Sequence, residues 1–476
     1  MSATPSQAAS YQPRLFGTDG IRGTANAYPV TPEIALKLGQ AVVREFHLQP
    51  NGPPVLIGRD TRISGSMLEH AVAAGVCSMG CNALLAGVLP TPAVAYFLKR
   101  LPAAAGIVIS ASHNPYADNG LKLFQGNGYK CDDATEDRIS AFLQGRTGIT
   151  MDPFGSGSDR DLSEGRPAGL AVGSVQRMEY AESRYADSMA KDWKHLDLSG
   201  MRIAVDAANG AACRTTPLVL QDLGAEVLPI HNEPDGSNIN DGCGSTYPEV
   251  ISCFVRECGA HIGVSHDGDA DRVTVCDETG SALDGDEVLT ILATDALQQG
   301  RLRHDTVVAT VMSNLGLDEA ITGLGGKIVR TAVGDRYVLE AMLAKDLNLG
   351  GEQSGHIILR DHNTTGDGLV TVLALLEIMR RTRKPLSELR TRLHKYPQML
   401  INMPVRLRVP IESLDEVAAA MRSVEDDMAG RGRVFLRYSG TEPKIRLLLE
   451  AREGDRLHEF ANRILEPLRK TIGVAN

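Results

Sequence analysis

The chain has 476 residues, too many for a single hydrophobic core and enough for three or four domains at roughly 100 to 200 residues each. Aromatics make up only 4% of it and the formal net charge is -10, which speaks against ring-stacking surfaces for nucleic acid and against diffuse attraction to DNA, RNA or anionic lipid. Neither nucleic acid nor membrane is an expected partner, whereas a small anionic molecule needs only a local cluster of cations.

Residues 1–13 carry neither an apolar core nor a positive charge and read as a disordered leader, not a secretory signal. From Arg14 on, short apolar runs alternate with helical patterns: PVLIGRD, a helix over 67–79, NALLAGV, a helix over 93–100, then AAAGIVISAS. Strands separated by helices of that length predict crossover units and a mostly parallel sheet. The stretch 145–173, rich in Gly, Ser, Asp and Pro, reads as a linker or surface excursion that closes a first domain, 14–170. A second unit, 171–262, opens with a helix through Tyr180 and Met189, followed by MRIAVDAANG, a helix over 216–223 and EVLPIHN. A third, 263–383, starts around HIGVSHDGDADRVTVCD, continues through a helix over 286–297 and TVVATVMSN, and ends in a helix over 366–381 that Lys384 and Pro385 break. The tail, 384–476, changes pattern: alternating INMPVRLRV, a helix over 414–428, the pair VFLRYSG and KIRLLLEA, and an amphipathic helix over 455–468. The expected fold class is α/β, three similar mixed α/β domains in series plus a C-terminal α+β domain. The eight cysteines include no CxxC pair, and no run approaches the ~18 apolar residues of a membrane span, so the chain reads as reduced and cytoplasmic.

Four segments carry chemistry. GIVISASHNPYADNGLKLF, 106–124, brings Ser112 together with His113, Asn114 and Lys122. By itself Ser112 is as readily a cap or turn residue, and with no GxSxG elbow the adjacent Ser112 and His113 do not make a serine-hydrolase pair. HDGDADR, 266–272, supplies Asp267, Asp269 and Asp271, three hard oxygen ligands suited to Mg²⁺. The spacing through Glu278 also fits a calcium loop, but position six is Arg272 where that loop needs glycine, and the flanks are β-like where it needs helices. Arg272 adds a phosphate-binding cation to the same segment.

GGEQSGH, 350–356, sets Glu352, Ser354 and His356 at alternate positions, which an extended backbone points to one side; a glycine-rich turn with a buried histidine is the plainer alternative. A carboxylate there can accept from two adjacent hydroxyls of a polyol. RYSGTEPKIR, 437–446, reads as a loop between strands in which Arg437, Ser439, the Gly440 and Thr441 amides and Arg446 converge on an anion, or as an ordinary hairpin turn. LFGTDGIRG, 15–23, carries Asp19 and Arg22.

Taken together these segments resemble the α-D-phosphohexomutase family, with the wording of each nearest to its phosphoglucosamine mutase branch. The four-part layout from Arg14 to the end is also that of the family, with an active-site cleft at the domain junction. The resemblance implies that Ser112 is the phosphorylated nucleophile, with Ser110 a nearby second hydroxyl and Arg22 a supporting cation. It also implies one Mg²⁺ per site on Ser112, Asp267, Asp269 and Asp271, and sugar hydroxyls on Glu352 and Ser354 beside His356. The 437–446 loop would take the idle phosphate, with Arg272 on the other. Lys122, His113 and His356 stand as proton-transfer candidates. The implied reaction turns glucosamine 6-phosphate into glucosamine 1-phosphate through a hexosamine 1,6-bisphosphate, with glucosamine or glucose 1,6-bisphosphate as activator and a homodimer as an open expectation.

Substrate choice rests on finer likeness: VGDRYV places Asp335 and Arg336 where the phosphomannomutase and phosphoglucomutase branch usually has a histidine after the glycine. Asp335 or Asp367, in NTTGDG, would pair with the C2 ammonium. The rival readings are the same reaction on glucose or mannose phosphate, and a Mg²⁺-dependent sugar-phosphate phosphatase or sensor. A hinge for the last domain is expected near 384–397.

Overall fold

A computed structural model describes residues 14–17, 19–145, 167–438 and 444–473. The leader 1–13, most of the 145–173 stretch, and Ser439, Gly440 and Thr441 lie outside the described residues.

The first sheet runs in the order Ile21–Thr24, Asp118–Gln125, Ala105–Ile109, Val55–Arg59, Ala83–Val88, Val175–Arg177. Val55–Arg59 lies parallel to both of its neighbours, with the helices Gly65–Ser78 and Thr91–Leu98 as the crossovers that parallel strands require. Asp118–Gln125 then folds back antiparallel on Ala105–Ile109, and the connection of this hairpin carries Ser112. Val55, Leu56 and Ile57 are all fully buried, the continuous apolar run of a strand covered on both faces.

The second sheet is ordered Ala282–Leu283, Val273–Asp277, Ile262–His266, Arg202–Asp206, Glu226–Ile230. HDGDADR therefore closes a hairpin of the second unit and does not open the third. Its leading strand is buried along all five residues and finds a parallel partner in Arg202–Asp206, which the local pattern alone did not reveal. The third sheet, Lys327–Thr331, Thr306–Thr310, Leu349–Gly351, Ile357–Leu359, carries the helix Gly368–Thr382 after it. The tail forms an antiparallel sheet, Gln398–Pro404, Lys444–Ala451, Gly432–Tyr438, under the helices Asp415–Met428 and Leu457–Ile472.

One hydrophobic core runs from Leu56 and Val94 through Tyr185 and Val205 to Leu289 and Leu373, whereas the tail has its own, around Val417, Ile445 and Ile464. The segment expected to hinge is tied to the third unit. Leu386 and Leu389 are buried, Arg390 pairs with Asp277 at 2.9 Å and Glu287 at 2.7 Å, and the Tyr396 N–H donates to Asn314 Oδ1 at 2.9 Å. All eight cysteines are free thiols, six of them buried, and among the described residues no helix is long and apolar enough to cross a membrane.

Candidate active site

Ser112 has φ 53°, in the left-handed region that a serine rarely adopts. Its backbone is held there from both ends. The N–H donates to Ser110 Oγ at 2.9 Å, whose hydroxyl donates to Asp60 Oδ2 at 2.6 Å, and the carbonyl accepts from Arg62 Nη2 and Asn240 Nδ2, each at 2.9 Å. So fixed, Ser112 Oγ donates to Asp267 Oδ2 at 2.6 Å, with His113 Nδ1 at 3.3 Å from the same oxygen.

Asp267, Asp269 and Asp271 occupy the tight loop between Ile262–His266 and Val273–Asp277, where Ala270 reverses the chain at φ 58°. One carboxylate oxygen from each lies within 4.8 Å of the others, all three residues are buried, and Asp269 Oδ1 and Asp271 Oδ1 accept no hydrogen bond. Orphaned buried oxygens of this kind fit a hard divalent cation, which completes its shell with oxygen.

Lys122 Nζ reaches Asp269 at 2.7 Å, Asp19 at 2.9 Å and Asp271 at 3.2 Å. Burial opposes its charge, yet Asp19, Asp269 and Asp271 raise its pKa well above the usual lysine value, so it stays an ammonium. Burial likewise opposes the Asp271 charge, but Lys122 and His356 hold that carboxyl well below the usual range. Asp267 goes the other way: burial, then the like charges of Asp271 and Asp269, push it well above. Burial and like-charge repulsion thus disfavour the Asp267 charge, a conflict that a cation would relieve.

Two more cations flank the serine. Arg22 pairs with Asp19 and donates to the Ala111 carbonyl at 3.4 Å, while the Arg272 backbone N–H donates to Asp267 Oδ1 at 3.2 Å and its guanidinium Nε lies 3.8 Å from Asp271 Oδ1. Burial, then Arg272 and Arg22, lower His113 to about 4, so its imidazole is neutral. His356 Nε2 accepts the Gly366 N–H at 3.1 Å, which leaves Nδ1 to carry the proton facing Asp271 Oδ1, 3.7 Å away.

GGEQSGH is a hairpin turn, not the extended segment expected. The Gly355 N–H donates to the Glu352 carbonyl at 3.0 Å and Gly355 takes φ 89°, so Glu352 and His356 are buried while Ser354 is exposed. Glu352 Oε1 accepts the Gly334 N–H at 3.0 Å, which couples this turn to VGDRYV. Of the two carboxylates considered for an ammonium, Asp367 caps the helix Gly368–Thr382 by accepting the Val370 N–H at 3.0 Å and is occupied structurally. Asp335 faces His356 Nε2 at 3.6 Å and pairs with Lys130. Arg437 and Arg446 stand directly opposite in the antiparallel register of the tail sheet, and burial, then Arg446, lower the Arg437 pKa. Like charges directly opposite repel, and an anion beside them would be favoured.

Sequence reasoning missed Arg62, Asp60, Asn240 and Lys130, and also Thr91, whose hydroxyl donates to Asp269 Oδ2. Asp60 and Arg62 follow directly on the strand Val55–Arg59, the only local signal that they lie at a sheet edge.

The chain matches the phosphoglucomutase/phosphomannomutase family domain by domain: α/β/α domain I over 13–147, domain II over 183–280, domain III over 284–396 and the C-terminal domain over 400–466. It is 48% identical over 465 residues to the phosphoglucosamine mutase of Syntrophotalea carbinolica, covering 97% of this chain and 98% of that protein. The chain belongs to the α-D-phosphohexomutase family. As a phosphohexomutase it is an intramolecular phosphotransferase of the isomerase class, and the phosphoglucosamine mutase of Pelobacter propionicus, 47% identical over 462 residues, covers 97% of it and 99% of that relative. The phosphohexomutase fold is seen in a phosphoglucomutase/phosphomannomutase family protein from Burkholderia thailandensis, TM-score 0.77 at 22% identity over 97% of this chain and 99% of that one. It recurs in the Aspergillus fumigatus N-acetylphosphoglucosamine mutase solved with GlcNAc-6P and magnesium, TM-score 0.65 at 18% identity over 96% and 95%.

Proposed function

We propose that this phosphohexomutase interconverts glucosamine 6-phosphate and glucosamine 1-phosphate, feeding UDP-N-acetylglucosamine synthesis. The observation that carries the reading is the buried Ser112 Oγ, 2.6 Å from a carboxylate of the aspartate triplet. The relatives named above, similar over nearly their whole length, support glucosamine as the sugar.

Phosphorylated Ser112 gives its phosphoryl group to the free hydroxyl of the monophosphate, the Ser112 ester P–O bond breaking as the sugar P–O bond forms. The hexosamine 1,6-bisphosphate then turns over in the site and the other phosphoryl group returns to Ser112 Oγ. Asp267, Asp269 and Asp271, with the Ser112 phosphate, would hold Mg²⁺, which would supply charge neutralisation at the transferring group. Arg22 and Arg272 flank that group, and Lys122 pairs with Asp269 and keeps Asp271 ionised without itself moving a proton. The sugar hydroxyl loses a proton as its P–O bond forms and Ser112 Oγ gains one as the ester breaks; the neutral His113 imidazole, 3.3 Å from Ser112 Oγ, is the group this geometry favours over Lys122 and His356 for exchanging the serine proton in the two half-reactions.

Glu352 and Ser354 grip hydroxyls common to both orientations of the sugar, and Asp335 beside His356 is the carboxylate for the C2 ammonium. Arg437 and Arg446, with Ser439, Gly440 and Thr441, take the idle phosphate, whose charge relieves the pairing of two guanidinium groups. Glucosamine or glucose 1,6-bisphosphate as activator re-primes Ser112 after the intermediate escapes. The reaction belongs in the cytoplasm, and a homodimer is part of this reading, checked by light scattering.

Intact-protein mass spectrometry with peptide mapping is expected to find one phosphate on the 106–124 peptide, absent in Ser112→Ala. Turnover of glucosamine 6-phosphate should exceed that of glucose 1-phosphate, and a strong preference for the latter would overturn the assignment. Net phosphate release in place of isomerisation would favour a phosphatase.

A further inference from the structure

Among the described residues one other group of metal-ligating side chains lies within mutual reach: Asp206, His231 and Cys243. Asp206 ends the strand Arg202–Asp206 and His231 follows the parallel strand Glu226–Ile230, so both sit at the carboxyl edge of the second sheet, where open α/β folds place their ligands. Cys243 comes to them on the loop that returns from His231.

The cluster is built, not incidental. Asp206 is fully buried, its Oδ1 accepting the Ala208 N–H and its Oδ2 the Gly244 N–H, both at 2.9 Å, which fixes the carboxylate plane. The same Gly244 amide contact holds Cys243, itself fully buried, against the strand end. His231 adopts φ 46°, and its carbonyl accepts the Asn209 N–H at 2.6 Å. Its Nδ1 is sequestered from solvent, makes no hydrogen bond and lies 3.2 Å from Asp206 Oδ1, while the ring as a whole is 35% exposed. Carboxylate oxygen, imidazole nitrogen and thiol sulfur all fall within 4.8 Å of one another.

Tetrahedral zinc, with bonds of about 2.0–2.1 Å to nitrogen, 2.0–2.2 Å to oxygen and 2.3 Å to sulfur, sets its ligand atoms roughly 3.3–3.8 Å apart. The oxygen-to-nitrogen edge of 3.2 Å is already at that spacing, and the sulfur lies within 4.8 Å of both. We propose that Asp206, His231 and Cys243 form a second metal site, selective for a thiophilic divalent transition ion, Zn²⁺ foremost, and distinct from the aspartate triplet. The donor sets sort the ions: three carboxylates suit Mg²⁺, whereas one sulfur, one nitrogen and one oxygen suit Zn²⁺ or Co²⁺. On binding, the Cys243 S–H bond breaks, its proton passes to solvent and the sulfur bonds to the metal. The exposed edge of His231 is the way in and leaves the fourth position to water. Three residues before Cys243, Asn240 Nδ2 donates to the Ser112 carbonyl at 2.9 Å and the Asn114 carbonyl at 3.0 Å, so the ion sits on the loop that holds the nucleophile.

The test is a Co²⁺ titration of the full chain with Mg²⁺ in large excess to fill the hard site. A thiolate-to-cobalt charge-transfer band should grow to one equivalent, be displaced by Zn²⁺, vanish in Cys243→Ser, and persist in Asp267→Asn and in Cys253→Ser, which removes the exposed thiol. His231→Ala, at a half-exposed position, should keep the native circular dichroism while Co²⁺ affinity falls at least about tenfold, and it decides alone if Cys243→Ser does not fold. No band in the wild type, a band that survives Cys243→Ser or is lost in Cys253→Ser, or unchanged affinity in His231→Ala overturns the proposal.

Discussion

Ser112 Oγ and Asp267 Oδ2 are joined by a 2.6 Å hydrogen bond across 155 positions of sequence. Burial and the like charges of its two neighbours also push the Asp267 carboxyl well above its usual range. Asn in its place keeps an acceptor for the serine and removes a like charge. Asp267→Asn should therefore leave the metal-free fold as stable or stabilise it by about 1 kcal/mol, while abolishing both Mg²⁺-dependent stabilisation and turnover. Calorimetric scans with and without Mg²⁺ check this; a metal-free variant that melts below the wild type would show that the Asp267 charge is not in conflict with its neighbours.

The same carboxyl sets a pH dependence. Its folded pKa lies above the unfolded value of about 4, so the folded state binds the proton more tightly. Its contribution to metal-free stability is fully present below that unfolded value and is lost as pH rises toward the folded one. Mg²⁺ requires the carboxylate, so Mg²⁺ affinity should rise through the same window with release of a proton. Titration calorimetry in two buffers of different ionisation enthalpy measures that proton; affinity that does not rise with pH, with no proton released, would contradict the assignment.

Lys122 and His113 should separate stability from chemistry. Lys122→Met leaves Asp19, Asp269 and Asp271 buried around an apolar side chain, with an expected loss of about 3–5 kcal/mol that Mg²⁺ partly restores. His113→Asn removes a partly exposed imidazole, so denaturant midpoints should hardly move while kcat falls about 10²–10⁴-fold. A His113→Asn enzyme with wild-type kcat would return proton transfer to His356 or to the substrate itself.

The chemistry was legible wherever a short segment holds its own ligands: three aspartates in one hairpin loop, or a serine at the end of a buried strand. What the sequence could not show is which strand partners which. Ile262–His266 reads as the start of a unit because its helix and strand neighbours look like any others, yet its hydrogen bonds run to Arg202–Asp206, more than fifty residues earlier. Residues 384–397 read as a hinge because Lys384 and Pro385 break the preceding helix, while their attachment depends on Asp277, Glu287 and Asn314, all distant in sequence. The alternation in GGEQSGH suggested an extended strand, but Gly355 permits a left-handed turn that periodicity does not register. Arg62 carries no motif at all, because its role is to reach the carbonyls of another loop.

Gly268, within the aspartate loop, shows how tightly that loop rests on the serine. A Cβ there would meet the Ser112 carbonyl oxygen at 2.6 Å, Ile239 Cδ1 at 2.8 Å and Asn240 Nδ2 at 2.9 Å. The carbonyl has no room to yield, because Arg62 and Asn240 already hold it. Gly268→Ala must instead lift the aspartates from Ser112 by a few tenths of an ångström, at an expected cost of about 1–3 kcal/mol in stability. Because phosphoryl transfer depends on position more than on any covalent help from the protein, kcat should fall about 10²-fold with little change in KM. Arg62→Met frees the same carbonyl from the other side. In the double variant Arg62→Met, Gly268→Ala, the two stability losses should sum to more than the measured loss, since the first mutation removes the clamp against which the second collides. Strict additivity of the two would mean that the loops meet without pressing on each other.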